Sequence, residues 1–171
     1  MPQVSLTAHP ASPSSVVRSI EVDVSADATG MLSLRYVLAG DTGRVRLPPI
    51  GESQRADGLW QHTCFEAFLK AGDSPAYREF NFAPSTRWAA YAFSDRRAGM
   101  TPAEEGWSPR IAVRRSDYRL ELHTALRAEP PLRLALAAVI EEDDGKLSYW
   151  ALEHPSSKPD FHHPGSFALE L

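Results

Sequence analysis

Apolar and polar residues alternate with a period of two in several short segments of the chain. The clearest segment is 32–38, LSLRYVL, and similar alternation is present at 20–24, 118–126 and 132–140. Side chains of a β-strand point alternately to opposite faces, so each segment predicts a strand with one apolar face. Short turn-forming stretches rich in Gly, Asp and Pro separate the segments, which favours antiparallel hairpins.

The stretch from Gly58 to Phe93 contains three further strand candidates, all rich in aromatic residues. Two breaks, Lys70–Ala76 and Ala83–Thr86, separate them, and the first break contains the turn residues of a hairpin. If the apolar parity faces the core, the opposite face collects carboxyl groups, an amide and aromatic rings. The residues of that second parity are Trp60, His62, Glu66, Tyr77, Glu79 and Asn81.

These segments together predict an all-β protein, an antiparallel β-sandwich of jelly-roll or immunoglobulin-like type with few or no helices. Residues 1–15 are rich in Pro, Ser and Ala, and we expect them to form a flexible N-terminal segment with stable structure beginning near Val16. Residues 16–171 are then expected to form a single ligand-binding domain. A short strand is expected at 44–47, and one helical turn at 102–105.

Composition and charge narrow the classes of function. The chain has 171 residues and a net charge of −4, and no basic stripe of the kind that binds nucleic acid. Cys64 is the only cysteine, which rules out an intrachain disulfide and a cysteine-based zinc site. No secretory signal is visible, and no segment approaches the ~20 apolar residues of a membrane helix. We therefore expect a soluble, cytoplasmic protein without membrane or nucleic-acid partners.

The mixed face of the central stretch has the chemistry of a sugar-binding surface. An aromatic ring can stack on the C–H face of a sugar, while carboxyl and amide groups bind its hydroxyls. The alternative interpretation is structural, since large aromatic residues usually belong to the core and a buried carboxylate usually has a hydrogen-bond partner. The Pro- and His-rich loop near the C-terminus can form one wall of the same binding site. The candidate ligand-binding residues are Trp60, His62, Glu66, Tyr77, Glu79, Asn81, Trp88, Lys158 and His162.

Catalysis and metal binding are less favoured by the sequence. Glu66 and Glu79 have the residue types of a glycoside hydrolase pair, but glutamates on neighbouring strands are common. His154 and Asp160, with His162 and His163, contain metal-ligating groups, yet adjacent histidines of an extended chain point in different directions. We expect no enzymatic activity, no catalytic residue and no metal.

Three motifs resemble a known family. They are WQHTCFEAF at 60–68, YREFNFAPSTRWAAY at 77–91 and ALEHPSSKPDFHHPGSF at 151–167. Together they resemble the bacterial DOMON-like domains, which are related to the family 9 carbohydrate-binding modules. The resemblance covers positions from about 59 to 167, most of the chain.

The resemblance implies a β-sandwich of a superfamily that binds sugars or haem b and is usually not catalytic. The leading expectation is a non-catalytic module that binds a saccharide or cell-wall sugar, without a cofactor. The first alternative is haem b binding in electron transfer, for which Met100 is a candidate axial ligand. Covalent haem is excluded because no Cys-x-x-Cys-His motif is present. The second alternative is a protein-interaction module.

Overall fold

The computed structural model describes residues 2–103, 106, 108–128 and 130–171, and their regular structure is almost entirely β. Three short 3-10 helices, Thr42–Arg44, Leu59–Gln61 and Pro164–Ser166, are the helices of this described part. The strands are β1 (Gln3–Ala8), β2 (Val17–Ala26), β3 (Met31–Gly40), β4 (Cys64–Ala71), β5 (Tyr77–Phe82), β6 (Trp88–Phe93), β7 (Thr101–Pro102), β8 (Arg110–Ser116), β9 (Arg119–Arg127), β10 (Leu132–Glu141), β11 (Leu147–Ala151) and β12 (Leu169–Glu170).

The strands form two facing sheets, and each pair of neighbouring strands in the described part of the chain is antiparallel. The first sheet has the order β1-β2-β3-β9-β8, and the second has the order β7-β6-β5-β4-β10-β11. Strand β1 pairs with β2 through residues 3–6 and with β11 through residues 7–8, so it joins the two sheets into one curled path. The predicted antiparallel all-β fold is confirmed.

The main core lies between the sheets and is built from the apolar parity of their strands. Leu32, Leu34 and Tyr36 of β3 are fully buried there, as the alternating pattern predicts. From the second sheet, Phe65 packs against Tyr36 with ring centroids 5.1 Å apart. The Tyr36 hydroxyl donates a hydrogen bond of 2.8 Å to the carbonyl oxygen of Glu66. This contact ties β4 to β3, and the alternation of side chains along β4, with Phe65 and Ala67 in the core, directs the Glu66 side chain away from it.

Several local predictions need correction. Structure begins at Gln3, not near Val16, because β1 lies between β2 and β11 in the part of the chain expected to be flexible. In place of the short strand at 44–47, a 3-10 helix ends at Arg44 and Val45 makes an isolated bridge to Glu142. At 102–105, Pro102 belongs to β7, whereas positions 104 and 105 lie outside the described residues.

The outer face of the second sheet carries a smaller apolar cluster. We call it the outer cluster: Phe68, Tyr77, Phe93, Ala135, Ala137 and Ala151, with Tyr91, Phe161 and Phe167 packed against them. Phe161 and Phe167 belong to the C-terminal segment 152–168, which crosses this face. The outer face is thus covered in part by its own loops. In the described part of the chain, no helix is long and apolar enough to span a membrane.

Candidate functional site

A cavity of about 750 Å³ opens on the outer face of the second sheet. Strands of the sheet form its floor, and three loops form its walls: 57–60 before β4, 97–102 after β6, and 159–162 near the C-terminus. The floor side chains come from five strands because their alternate residues face away from the main core. They are Glu66, Glu79, Tyr91, Phe93, Val139 and Tyr149.

Glu66 is the most deeply buried polar group of the floor. It lies on β4 opposite Asn81 of β5 and is only 3% exposed. Its carboxyl group makes no hydrogen bond to any described residue. Burial, reinforced by the neighbouring carboxyl group of Glu79, raises the pKa of Glu66 well above its ordinary value. The neutral acid, which can both donate and accept a hydrogen bond, is therefore favoured.

Glu79 lies two residues from Asn81 on β5, diagonally across from Glu66. Burial raises its pKa from the ordinary 4.5 to about 7, and the nearby Asn81 amide and Arg97 charge oppose this shift. The amide of Asn81 is fully buried and lies beside Glu79, but neither of its polar atoms makes a well-formed hydrogen bond. The floor therefore contains polar groups whose hydrogen-bonding capacity is not used within the described protein.

A chain of hydrogen bonds supports the wall beside Glu79. The backbone N–H of Arg97 donates to the Tyr77 hydroxyl at 3.1 Å, and this hydroxyl lies 2.7 Å from Nδ1 of His162. Since Tyr77 already accepts from Arg97, its own proton is available to Nδ1, which leaves the imidazole proton on Nε2. That nitrogen lies 3.6 Å from Oε2 of Glu79. Burial, with the charge of Arg97, lowers the pKa of His162 to about 4, so the neutral ring is favoured.

Ion pairs hold the two loops together at the cavity rim. The Arg97 guanidinium donates to Asp160 Oδ1 at 2.9 Å, and Arg96 binds the other oxygen of the same carboxylate. Asp160 also accepts the backbone N–H of His162 at 3.1 Å. Arg97 has a φ of 52°, a left-handed conformation that is unusual for a residue other than glycine. The loop after β6 is therefore fixed against the C-terminal segment, and the charge of Arg97 is directed to Asp160.

The opposite wall presents an exposed aromatic ring. Trp60 lies in the 3-10 helix that follows Gly58, whose φ of 73° makes the turn into the helix, and 52% of Trp60 is exposed. The Tyr91 hydroxyl donates to Asp57 at 2.6 Å and connects this loop to the floor. Burial and the Asp57 carboxylate raise the pKa of Tyr91.

Four of the nine candidate residues line the cavity: Trp60, Glu66, Glu79 and His162. Tyr77 and Asn81 lie directly behind them, Tyr77 bound to His162 and Asn81 next to Glu66 and Glu79. Glu66, Glu79, Tyr77 and Asn81 lie on one face of the sheet, as their alternation predicts. The same prediction was wrong for Trp60, which reaches the cavity from a 3-10 helix because β4 begins only at Cys64.

The other three candidates lie outside the cavity lining. His62 precedes β4 and binds Glu141 at 2.7 Å. Trp88 is half-buried against the main core, with the Arg55 guanidinium over its ring at 5.7 Å from the centroid. Lys158 is exposed on the C-terminal segment.

Several lining residues are not marked by the pattern of the sequence. Tyr91 pairs in register with Glu79, so extending the predicted hairpin to β6 would have found it. Tyr149, Phe161 and Arg97 are brought to the cavity by distant segments, and no local periodicity marks them. Met100, considered above only as a haem ligand, also lines the cavity and is 60% exposed.

The described residues contain no group of three or more His, Cys, Asp or Glu side chains that could hold a metal ion. Of the four C-terminal residues with metal-ligating groups, Asp160 is bound by two arginines and His154 contacts the carbonyl oxygen of Thr7 at 2.7 Å.

Comparison with known proteins supports the fold. No protein-family model and no curated protein matches the chain. Its structure is similar to the crystal structure of a "putative carbohydrate-binding protein" from Bacteroides uniformis, with a TM-score of 0.67 and 14% sequence identity. The similarity covers 96% of this chain and 83% of that one. At this identity the likeness concerns the fold, which the two proteins share over nearly their whole length.

Proposed function

We propose that the protein is a non-catalytic binding module and that a saccharide is its ligand, held in the cavity on the outer face of the second sheet. The observation that carries the proposal is the placement of the exposed Trp60 ring at the mouth of a cavity whose floor contains two buried carboxyl groups, Glu66 and Glu79. The fold shared with a protein named for carbohydrate binding supports it. The resemblance of the motifs to DOMON-like domains points in the same direction.

The dimensions and lining of the cavity suit a small sugar. A volume of about 750 Å³ lies within the range of ~300–1,000 Å³ that is typical of small-molecule sites. Trp60 can stack on the C–H face of a sugar ring, and Tyr91 and Tyr149 add further apolar contact. A protonated carboxyl group on the floor can donate to one ring hydroxyl and accept from another.

The electrostatics of the floor favour binding over hydrolysis. Glycoside hydrolysis uses one carboxylic acid together with one ionised carboxylate, which acts as nucleophile or base. Here burial raises the pKa of both Glu66 and Glu79, and among the described residues no cation bonds to either carboxyl group, since the neutral form of His162, 3.6 Å from Glu79, is favoured. Glu66 is thus favoured as the neutral acid and Glu79 is only partly ionised near neutral pH, so the pair lacks a carboxylate that is held firmly in the ionised state.

Replacing Trp60 with alanine is the direct test of the proposal. We expect a sugar identified by calorimetric titration of a glycan panel to lose about tenfold or more of its affinity, because a stacked indole contributes on the order of 1.4 kcal/mol or more. The matched control is Tyr118→Ala, which removes an exposed ring (68%) between β8 and β9, far from the cavity lining. Failure of every glycan to bind, or unchanged affinity in Trp60→Ala, would refute the proposal.

Haem b binding is the second candidate, because Met100 and His162 line the same cavity. Nδ1 of His162 is engaged by Tyr77, so Nε2 is the ring nitrogen left for an iron, and it faces Glu79 at 3.6 Å. Adding haem to the purified protein and recording its absorption spectrum distinguishes the two candidates. A Soret band that is lost in Met100→Ala would support haem, whereas glycan binding without such a band supports the saccharide.

A further inference from the structure

We propose that the saccharide is an amino sugar and that its ammonium group binds between the carboxyl groups of Glu66 and Glu79. This inference rests on the proposed function and specifies the class of its ligand. The two glutamates occupy diagonal positions on β4 and β5, about 7–8 Å apart at the backbone. Both carboxyl groups line the cavity, and at this spacing the two side chains can reach a single cation between them.

The charged groups around the cavity indicate which charge the ligand carries. Arg97 is the cationic side chain among the described lining residues, and its guanidinium binds Asp160 at 2.9 Å. The nearest basic atom to Glu79 is Nε2 of His162 at 3.6 Å, on a ring whose neutral form is favoured. Glu66 is only 3% exposed, and its carboxyl group has no hydrogen-bond partner among the described residues. Two acidic groups therefore face the cavity without a matching cation.

The rings of the cavity complement the same ligand. Trp60, Tyr91 and Tyr149 present aromatic surface around the two carboxyl groups. Aromatic faces attract an ammonium group as well as the C–H face of a sugar, and the attraction grows where water is excluded. A sugar that carries a carboxylate or phosphate would instead meet the Asp57 carboxylate and the ionised fraction of Glu79, which repel it. The site thus selects for positive charge on the ligand.

The test compares pairs of hexoses, and the two members of each pair differ only in the substituent at carbon 2. Glucosamine, galactosamine and mannosamine are titrated at pH 6 beside glucose, galactose and mannose, with glucuronic acid as the anionic counterpart. We expect the amino sugar of at least one pair to bind about tenfold or more tighter, because a charge-assisted hydrogen bond is about twice as strong as a neutral one. Glucuronic acid should not bind.

Two variants test whether the preference for amino sugars depends on the two glutamates of the floor. Glu66→Gln and Glu79→Gln keep the shape of each side chain but remove its acidic group, so each should lower the ratio of amino-sugar to neutral-sugar affinity. Glu153→Gln, which alters an exposed carboxyl group outside the lining, is the matched control and should retain the ratio. Equal or tighter binding of the neutral sugar in every pair would overturn the inference and leave the proposed function intact. Failure of all sugars, in this set and in the glycan panel, would instead overturn the proposed function.

Proton release gives an independent readout. A bound cation favours the ionised form of Glu79, whose pKa is about 7 without ligand, so amino-sugar binding at pH 6 should release protons. Other titratable groups around the two glutamates are Tyr36 (β3), Cys64 (β4), Tyr77 (β5), Tyr91 (β6) and Tyr149 (β11). The loops add Asp57, Arg97, Asp160 and His162. The release is measured by calorimetry in buffers of different ionisation enthalpy. It should fall in Glu79→Gln, and proton uptake, or a release unchanged in Glu79→Gln, would contradict the inference.

Discussion

Replacing Glu79 with glutamine is expected to stabilise the protein by about 3 kcal/mol more at pH 9 than at pH 4. Burial raises the pKa of Glu79 from the ordinary 4.5 to about 7. Each unit of such a difference corresponds to about 1.4 kcal/mol between the two protonation states. Glutamine has nearly the same shape but never ionises, so it removes the energetic cost of burying the charge and leaves the packing of the floor in place.

The direction of the pH dependence follows from proton counts. Between the unfolded pKa of 4.5 and the folded pKa of about 7, the folded protein binds more protons at Glu79 than the unfolded chain does. The Glu79 contribution to stability is therefore lost as pH rises through this window and is absent above it. His162 acts in the opposite direction, since its lowered pKa of about 4 reduces stability as pH falls below the unfolded value of 6.5. His162 is present in both proteins, so the comparison with Glu79→Gln reports the titration of Glu79 together with its coupling to Glu66 and His162.

The measurement is urea unfolding of both proteins at the two pH values. A matched control is Val139→Ala, which alters another lining residue but removes no charge. Its loss of stability should be the same at pH 4 and pH 9. A pH-independent effect of Glu79→Gln would show that the carboxyl group of Glu79 is solvated in the cavity and that its pKa is ordinary.

The polar floor of the site could be predicted from the sequence because it depends on local periodicity. Glu66 alternates with Phe65 and Ala67, which are fully buried in the main core, so its side chain has to face the other way. The same parity places Glu79 on that face of β5. The hairpin between the two strands then brings the carboxyl groups together, as the break at 70–76 predicts.

The walls could not be predicted in this way because their positions depend on contacts between distant segments. Alternation does not extend back to Trp60, since the chain turns through a 3-10 helix before β4 begins. Arg97 reaches the rim through its ion pair with Asp160, 63 residues away. Strand β1 was missed although Val4, Leu6 and Ala8 alternate with polar residues and face the main core, because only Leu6 is fully buried and the stretch is short and followed by Pro- and Ser-rich sequence.

Replacing Phe68 with alanine should both destabilise the protein and loosen the wall of the cavity. Phe68 is fully buried in the outer cluster, where its ring centroid lies 5.0 Å from that of His162 and 6.5 Å from those of Phe161 and Phe167. Removing a buried phenylalanine costs about 3–5 kcal/mol of unfolding free energy. The lost contacts are those that hold the C-terminal segment 152–168 against the sheet, so we expect sugar affinity to fall as well.

Phe65→Ala is the matched control, because Phe65 is equally buried on the same strand but faces the main core. Both variants should lose a similar free energy of unfolding in urea. Hydrogen exchange under native conditions should separate them, with faster local exchange at the amides of Ser166 and Phe167 in Phe68→Ala alone, since these amides close the turn at 163–167. Phe68→Leu and Phe65→Leu should show the same difference in local hydrogen exchange, with a smaller loss of unfolding free energy. If both variants loosened the C-terminal segment equally, that segment would depend on the whole sandwich. The outer cluster would then not be what positions His162 beside Glu79.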